Sequence, residues 1–197
     1  MVLVETAKNT ARIISCKRTK LMLNSADFFT GKAPNSAPDN QELQTPVGEL
    51  YLRFYLPSED EFALSAVGIR EVMQQPIDRI TPIPNASPLL LGTINLRGQV
   101  IWVADLGQLL GDSSRLNTNR AEIPVIAIEE QETMLGLAVE SLGDMEWLDP
   151  DKLGNAATIP DQISPYVQGE WILGQESKQT LRLLDHLAIL RSSRWAA

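Results

Sequence analysis

One cysteine and one histidine in 197 residues leave this chain poorly equipped for metal or nucleophile chemistry. Cys16 has no partner for an internal disulfide and cannot seed a thiolate metal cluster, which fits a reducing compartment. Any Ser-His-Asp or Cys-His arrangement would have to be built around His186. That residue sits among the apolar side chains of LLDHLAIL, so it reads first as a packing or surface histidine, with a phosphoacceptor as the alternative. CxxC, HExxH, EF-hand, Walker and dinucleotide-glycine spacings are all missing, so no metal or nucleotide cofactor is expected. Nowhere do about 18 apolar residues run together without a charge, and the amino terminus has no apolar signal core. Neither a membrane insertion nor a secretory signal is expected, which places the chain in the cytoplasm.

Positive charge is also scarce where it would matter. The net charge is −8, yet residues 1 to 32 carry +4, which leaves −12 on the remainder. An acidic body of this kind lacks the clustered Lys and Arg needed to neutralise phosphates, so no nucleic acid is expected as a partner. The carboxylates fall in three groups, Glu59-Asp60-Glu61, Glu129-Glu130 with Glu132, and Asp149 with Asp151. All three read as loop-solvating charges between strands rather than as a general acid and base. Four tryptophans (Trp102, Trp147, Trp171, Trp195) show no interleaving with basic residues, and core packing is the expected fate of the first three. Nothing in this inventory points to an enzyme.

What is present is a series of short β patterns. Residues 30–46, rich in Pro, Asn, Ser and Gln, offer too little apolar surface to offset their own ordering entropy and read as a disordered linker. Residues 1–46 are therefore expected to be a weakly structured tail and linker, with Met22 as an alternative start, and residues 47–192 the folded domain. Glu49 to Leu56 alternates Leu50, Leu52, Phe54 and Leu56 with Glu49, Tyr51, Arg53 and Tyr55, a period of two that assigns the first set to the core. Further strands are expected over residues 61–66, 67–73, 89–96, 100–105, 123–129, 133–139, 144–148, 166–173 and 179–184. The stretch from Ile80 to Pro88 carries three prolines and reads as an irregular, exposed connection. Asp105 and Asp185 are placed to cap two short helices, 106–110 and 186–191. Each half of the chain thus offers about five strands and an Asp-led helix, a weak architectural repeat. Many short strands with little helix imply small barrels rather than a doubly wound sheet.

One corner has a definite chemical character. In GTINLRGQVI, Arg97 is presented at a tight turn between two apolar strands, with Gly92 and Gly98 leaving room for backbone turning and for close approach of a partner. A guanidinium held there can grip a carboxylate on another protein or clamp its own loop carbonyls.

The block from Phe62 to Leu106 (a short strand, VGIREVM, ITPIPNASP, GTINLRG, a β-branched strand and Asp105-Leu106) resembles the CheW-like family in its order of motifs. The resemblance extends more thinly over Gly48 to Arg191, through YVQGEWIL and LRLLDHLAIL. It departs at Trp102, where the family usually has proline. What it implies is a mainly β fold of two SH3-like five-stranded barrels packed together with short helices, no catalytic residues, and a non-catalytic adaptor's work. The implied partners are the cytoplasmic tip of a chemoreceptor and the regulatory domain of a CheA-type histidine kinase, in chemotaxis, phototaxis or pilus-driven twitching motility. By the same resemblance Arg97, Asn95 and Gly98 match the receptor-contact motif and Glu71 an acidic position beside it, while Ile80, Pro82, Ile83 and Pro84 are candidates to line the same groove. A peptide- or carbohydrate-binding barrel with no kinase partner is the alternative.

Overall fold

A computed structural model describes residues 48–156, 159–173 and 179–196. The readings of residues 1–46, with Cys16 and Met22, lie outside the described residues. Ten strands follow in order: β1 Glu49–Tyr55, β2 Glu61–Ser65, β3 Ile69–Pro76, β4 Leu90–Leu96, β5 Gln99–Asp105, β6 Glu122–Glu130, β7 Thr133–Ala138, β8 Ser141–Leu148, β9 Val167–Leu173 and β10 Gln179–Leu184. Two helices, α1 Leu106–Leu110 and α2 His186–Leu190, follow β5 and β10. Both begin where expected. The Asp105 carboxylate accepts the Gln108 amide at 3.1 Å, and Asp185 accepts those of Leu187 and Ala188 at 2.8 and 3.2 Å, which satisfies amides that a helix start leaves unpaired.

The strands form two five-stranded sheets, β8-β1-β2-β10-β9 and β3-β6-β7-β5-β4. The expected mainly β, two-unit architecture is therefore present, but a unit does not correspond to a half of the chain. Each half contributes a hairpin, a single strand, a second hairpin and an Asp-capped helix, and the two halves exchange their first hairpins. Hairpin β1-β2 lies with β8, β9 and β10, and hairpin β6-β7 with β3, β4 and β5. The repeat holds in register: β5 runs parallel to β7 with Ala104 opposite Leu137, and β10 runs parallel to β2 with Leu184 opposite Leu64. It holds at the seams as well. An isolated bridge from Thr81 to Thr93 joins the segment after β3 to β4, and one from Gly154 to Glu170 joins the segment after β8 to β9.

Three apolar cores follow from this arrangement. Tyr51, Ala63, Trp171, Leu181 and Leu183 fill the first sheet's own interior, and Ile94, Leu96, Ile101, Val103, Val125 and Ala127 fill the second's. Leu52, Phe54, Phe62 and Leu64 from one sheet meet Ala104, Ile126, Ile128 and Leu137 from the other in a shared core, which α1 and α2 complete. Strand β1 is consequently buried on both faces. Tyr51, assigned to the outer face by the period-two reading, is 2% exposed, because alternation identifies a solvent face only where a strand has one.

Other expectations change too. Ile80 is buried in the second interior, where the Thr81–Thr93 bridge draws it under β4, and Ser87 is buried as well, although residues 81–85 between them are exposed. Gly92 permits that approach: its φ is +150°, and a Cβ there would lie 2.4 Å from the Thr81 carbonyl oxygen. Trp171 is in the core, but Trp102 and Trp147 are 38% and 49% exposed. Glu61 is not a loop-solvating charge. It is buried at the start of β2, 2.6 Å from Arg53, which also reaches Glu146 at 2.7 Å. His186 packs its ring against Gly68.

Candidate functional site: the Arg97 turn

Strands β4 and β5 pair up to Leu96 opposite Gln99, so Arg97 and Gly98 alone make the turn. Their φ angles are 51° and 91°, the pair of left-handed residues that a two-residue hairpin loop of the primed type requires. Glycine takes such a conformation freely and arginine does not. At Gly98 an added Cβ would meet nothing within 4 Å, so the backbone angle, and not crowding, is what demands glycine there. Asn95 completes the turn by accepting the Gly98 amide on Oδ1 at 2.7 Å.

The Arg97 side chain leaves its own loop carbonyls alone. Its Nε lies 2.8 Å from Glu71 Oε2, with the two side chains 72% and 27% exposed. Glu71 follows an irregularity in the pairing of β3 with β6, which shifts between Ile69 and Glu71. Next to it, Arg70 faces Glu129 at 3.6 Å. Arg97, Asn95, Gly98 and Glu71, four positions singled out in the sequence, therefore share one small surface where sheet edges β3 and β4 approach.

The proline connection is placed differently. Pro82, Ile83 and Pro84 are exposed, but Thr81 faces Thr93, four residues up β4 from Arg97, or roughly 13 Å at the rise of a strand. Ile80 points into the interior. Two features escaped the sequence reading. Arg70–Glu129 pairs across strands whose register sequence does not give, and the exposure of Val100 and Trp102 was hidden because β5 is apolar on both faces.

No group of three or more potential metal ligands occurs among the described residues, and no described helix is long and apolar enough to cross a membrane. Burial holds the Asp105 carboxyl above its usual range against the pull of its capping hydrogen bonds, and this group belongs to a helix start. What the fold and this geometry define is a mainly β protein of two five-stranded sheets with an exposed ion pair at the tip of one hairpin.

Comparison with known proteins agrees with that class. Residues 50–194 match the CheW-like domain, and the chain belongs to that family. A chemotaxis protein CheW of Rhizobium meliloti (strain 1021) is 31% identical over 87 residues, 44% of this chain and 54% of that protein, so the chain matches about half the length of this curated relative. The crystal structure of scaffolding protein TtCheW from Thermoanaerobacter tengcongensis superposes with a TM-score of 0.60 at 21% identity, covering 75% of this chain and 95% of that one, a likeness of fold.

Proposed function

We propose that this chain is a non-catalytic cytoplasmic adaptor that couples the tip of a chemoreceptor to the regulatory domain of a CheA-type histidine kinase. In this reading residues 47–192 are the working module, and Arg97, Asn95, Gly98 and Glu71 are the receptor contact. The observation that carries it is the Arg97 turn: an arginine sits in a conformation that favours glycine, on a rigid hairpin, yet spends its side chain on one exposed ion pair. Such an arrangement contributes little to folding and presents a planar cation to a partner. Family membership supplies the partner class.

The adaptor acts by linkage. Holding receptor and kinase together raises their effective concentration, and contacts that favour one kinase state transmit receptor occupancy as a coupling of about 1–3 kcal/mol. Output to a flagellar, phototactic or pilus motor is a property of the circuit around it. The test is titration of the full chain, parent beside Arg97→Glu, against a receptor cytoplasmic fragment and separately against the kinase regulatory domain. The variant is expected to fold, to keep the kinase and to lose the receptor. Unchanged receptor affinity removes Arg97 from the contact, and failure of the parent to bind either protein leaves the peptide- or carbohydrate-binding barrel as the reading to pursue.

A further inference from the structure

The internal repeat gives a control for which surface residues the fold requires. Leu52 of β1 and Ile126 of β6 hold equivalent places, since each stands opposite the equivalent leucine of its own hairpin, Leu64 or Leu137. On the strands that pair with them, Met145 of β8 answers to Val72 of β3, and two residues further Trp147 answers to Gln74. Ile172 of β9 likewise answers to Asn95 of β4, because Thr180 and Val100 opposite them are equivalent. Met145 and Val72 are both apolar, so an apolar residue there is common to the two halves. Trp147 and Ile172 are apolar where the other half has exposed amide side chains. At 49% and 73% exposed, they are neither required by the topology nor accounted for by burial.

The two side chains stand on one groove of about 320 Å³, which runs along the seam between β8 and β9 and is lined as well by Trp171 and Leu173. Trp171 is a fixed part of it: the side chain is 4% exposed, and its indole N–H donates to the Asp149 carbonyl at 3.0 Å. The rim carries both signs of charge. Lys152, with its side chain 78% exposed, lies 3.5 Å from Asp149, and Arg182 faces Glu170 at 3.9 Å two residues along β9 from Ile172. Asp151 and Glu49, which stands opposite Leu148, add exposed carboxylates. An exposed apolar side chain beside an apolar groove, with a cation and carboxylates at the rim, is complementary to a second copy of itself. We infer that this seam is the contact of a homodimer, in which Ile172 of each copy seats against Trp147 of the other and Lys152 of each lies against the other's carboxylates at Asp151 and Glu49. The exposed parts of Trp147 and Ile172 amount to roughly 250 Å² per copy, against about 800 Å² per partner in a stable interface. The dimer is therefore weak, with a Kd on the order of 100 µM. The Arg97 turn belongs to the other sheet, so the dimer leaves it open and carries two of them. This contact is independent of the receptor and kinase reading.

Sedimentation velocity of the full chain, from about 10 µM to about 1 mM, reads the association directly. The parent is expected to pass from monomer toward dimer across that range. Trp147→Gln and Ile172→Asn, each copying the residue that the other half carries, are expected to raise the dissociation constant at least about tenfold, the scale of a central apolar anchor. Ile172→Asn, at an open surface position, gives a second reading should Trp147→Gln fail to fold. Lys152→Glu, which leaves only negative charge around the groove, is expected to weaken the dimer as well. A parent that stays monomeric at about 1 mM overturns the proposal. So does a dimer that Trp147→Gln and Ile172→Asn leave intact. A dimer lost with Trp102→Arg but kept with Ile172→Asn would also overturn it, because the contact would then lie on β5.

Discussion

Replacing Arg97 by glycine separates what the turn does for folding from what its side chain does for contact. Arginine at φ 51° costs about 1 kcal/mol relative to an unstrained residue. Its compensation is the ion pair to Glu71, worth about 0.2–1 kcal/mol and at the lower end here, since the guanidinium side is 72% exposed. Glycine relieves the strain, loses the pair, and adds roughly 0.5 kcal/mol of unfolded-chain entropy. These nearly cancel, so Arg97→Gly is expected within about 1 kcal/mol of the parent by urea denaturation, with an unchanged m-value. Arg97→Ala keeps most of the strain, loses the pair, and should be no more stable than the glycine variant. High salt should shrink the difference between parent and Arg97→Ala, because it screens an exposed pair. A loss above about 2 kcal/mol for Arg97→Gly would refute the reasoning, for it would mean that Arg97 supports the fold and that its surface position is incidental.

Three further outcomes follow from the architecture. Gly92→Ala drives a Cβ to 2.4 Å from the Thr81 oxygen at a φ of +150°, and should cost at least about 2 kcal/mol in urea denaturation; an unchanged midpoint would show that the β3-β4 seam does not need this approach. Fragments 1–116 and 117–197, split in the loop between α1 and β6, should each fail to melt cooperatively alone and should regain a cooperative β transition when mixed, because each sheet takes strands from both; a cooperative melt of either fragment by itself would contradict the exchanged hairpins. Asp105 has a raised folded-state pKa because it is buried, so the folded state holds that proton more tightly than the unfolded chain does. Its burial penalty is full above the folded pKa and is relieved as pH falls through it toward the unfolded value. The stability of the parent relative to Asp105→Asn should therefore improve between neutral and mildly acid pH, and a relative decline would reverse the assignment.

Local chemistry was legible because the decisive interactions were local. Asp105 and Asp185 cap helices that start within three residues of them, and Asn95, Arg97 and Gly98 define a turn through angles and one hydrogen bond inside four residues. Most strand boundaries came through to within a residue for the same reason, but β3 runs over Ile69–Pro76 where 67–73 was expected, because residues 66–68 form a turn capped by Ser65, and β8 begins at Ser141 where 144 was expected. Which strands share a sheet did not come through, because β1 and β6 both carry buried apolar residues on both faces and nothing within either hairpin states that it crosses to the other half's strands. That exchange gives β1 two buried faces, which is why Tyr51 was placed on the wrong one. It is also why Trp102 and Trp147 were taken for core: on a strand with apolar residues at consecutive positions, composition does not say where the neighbouring strands end. Ile80 shows the converse, a residue in a proline-rich connection carried inside by one bridge.

The two halves share a topology and differ where contact is proposed. A fold that needed only to stand could place polar residues at Trp147 and Ile172, as it does at Gln74 and Asn95, and glycine or asparagine at position 97. These departures leave costly features on the surface: strained backbone at the tip of hairpin β4-β5 and apolar area at the seam of β8 and β9. The hairpin is anchored at its base by Ala104 in the shared core, beside the buried Asp105, and along its edge by the Thr81–Thr93 bridge, so its tip is carried on paired strands and not on a loose loop. Glu71 further limits how tightly any partner carboxylate binds. A newcomer to Arg97 exchanges one ion pair for another or shares the guanidinium, and the net gain is a fraction of a full new contact. In the reading proposed above, coupling rests on the difference in contact free energy between two kinase states and not on how weak or tight either contact is.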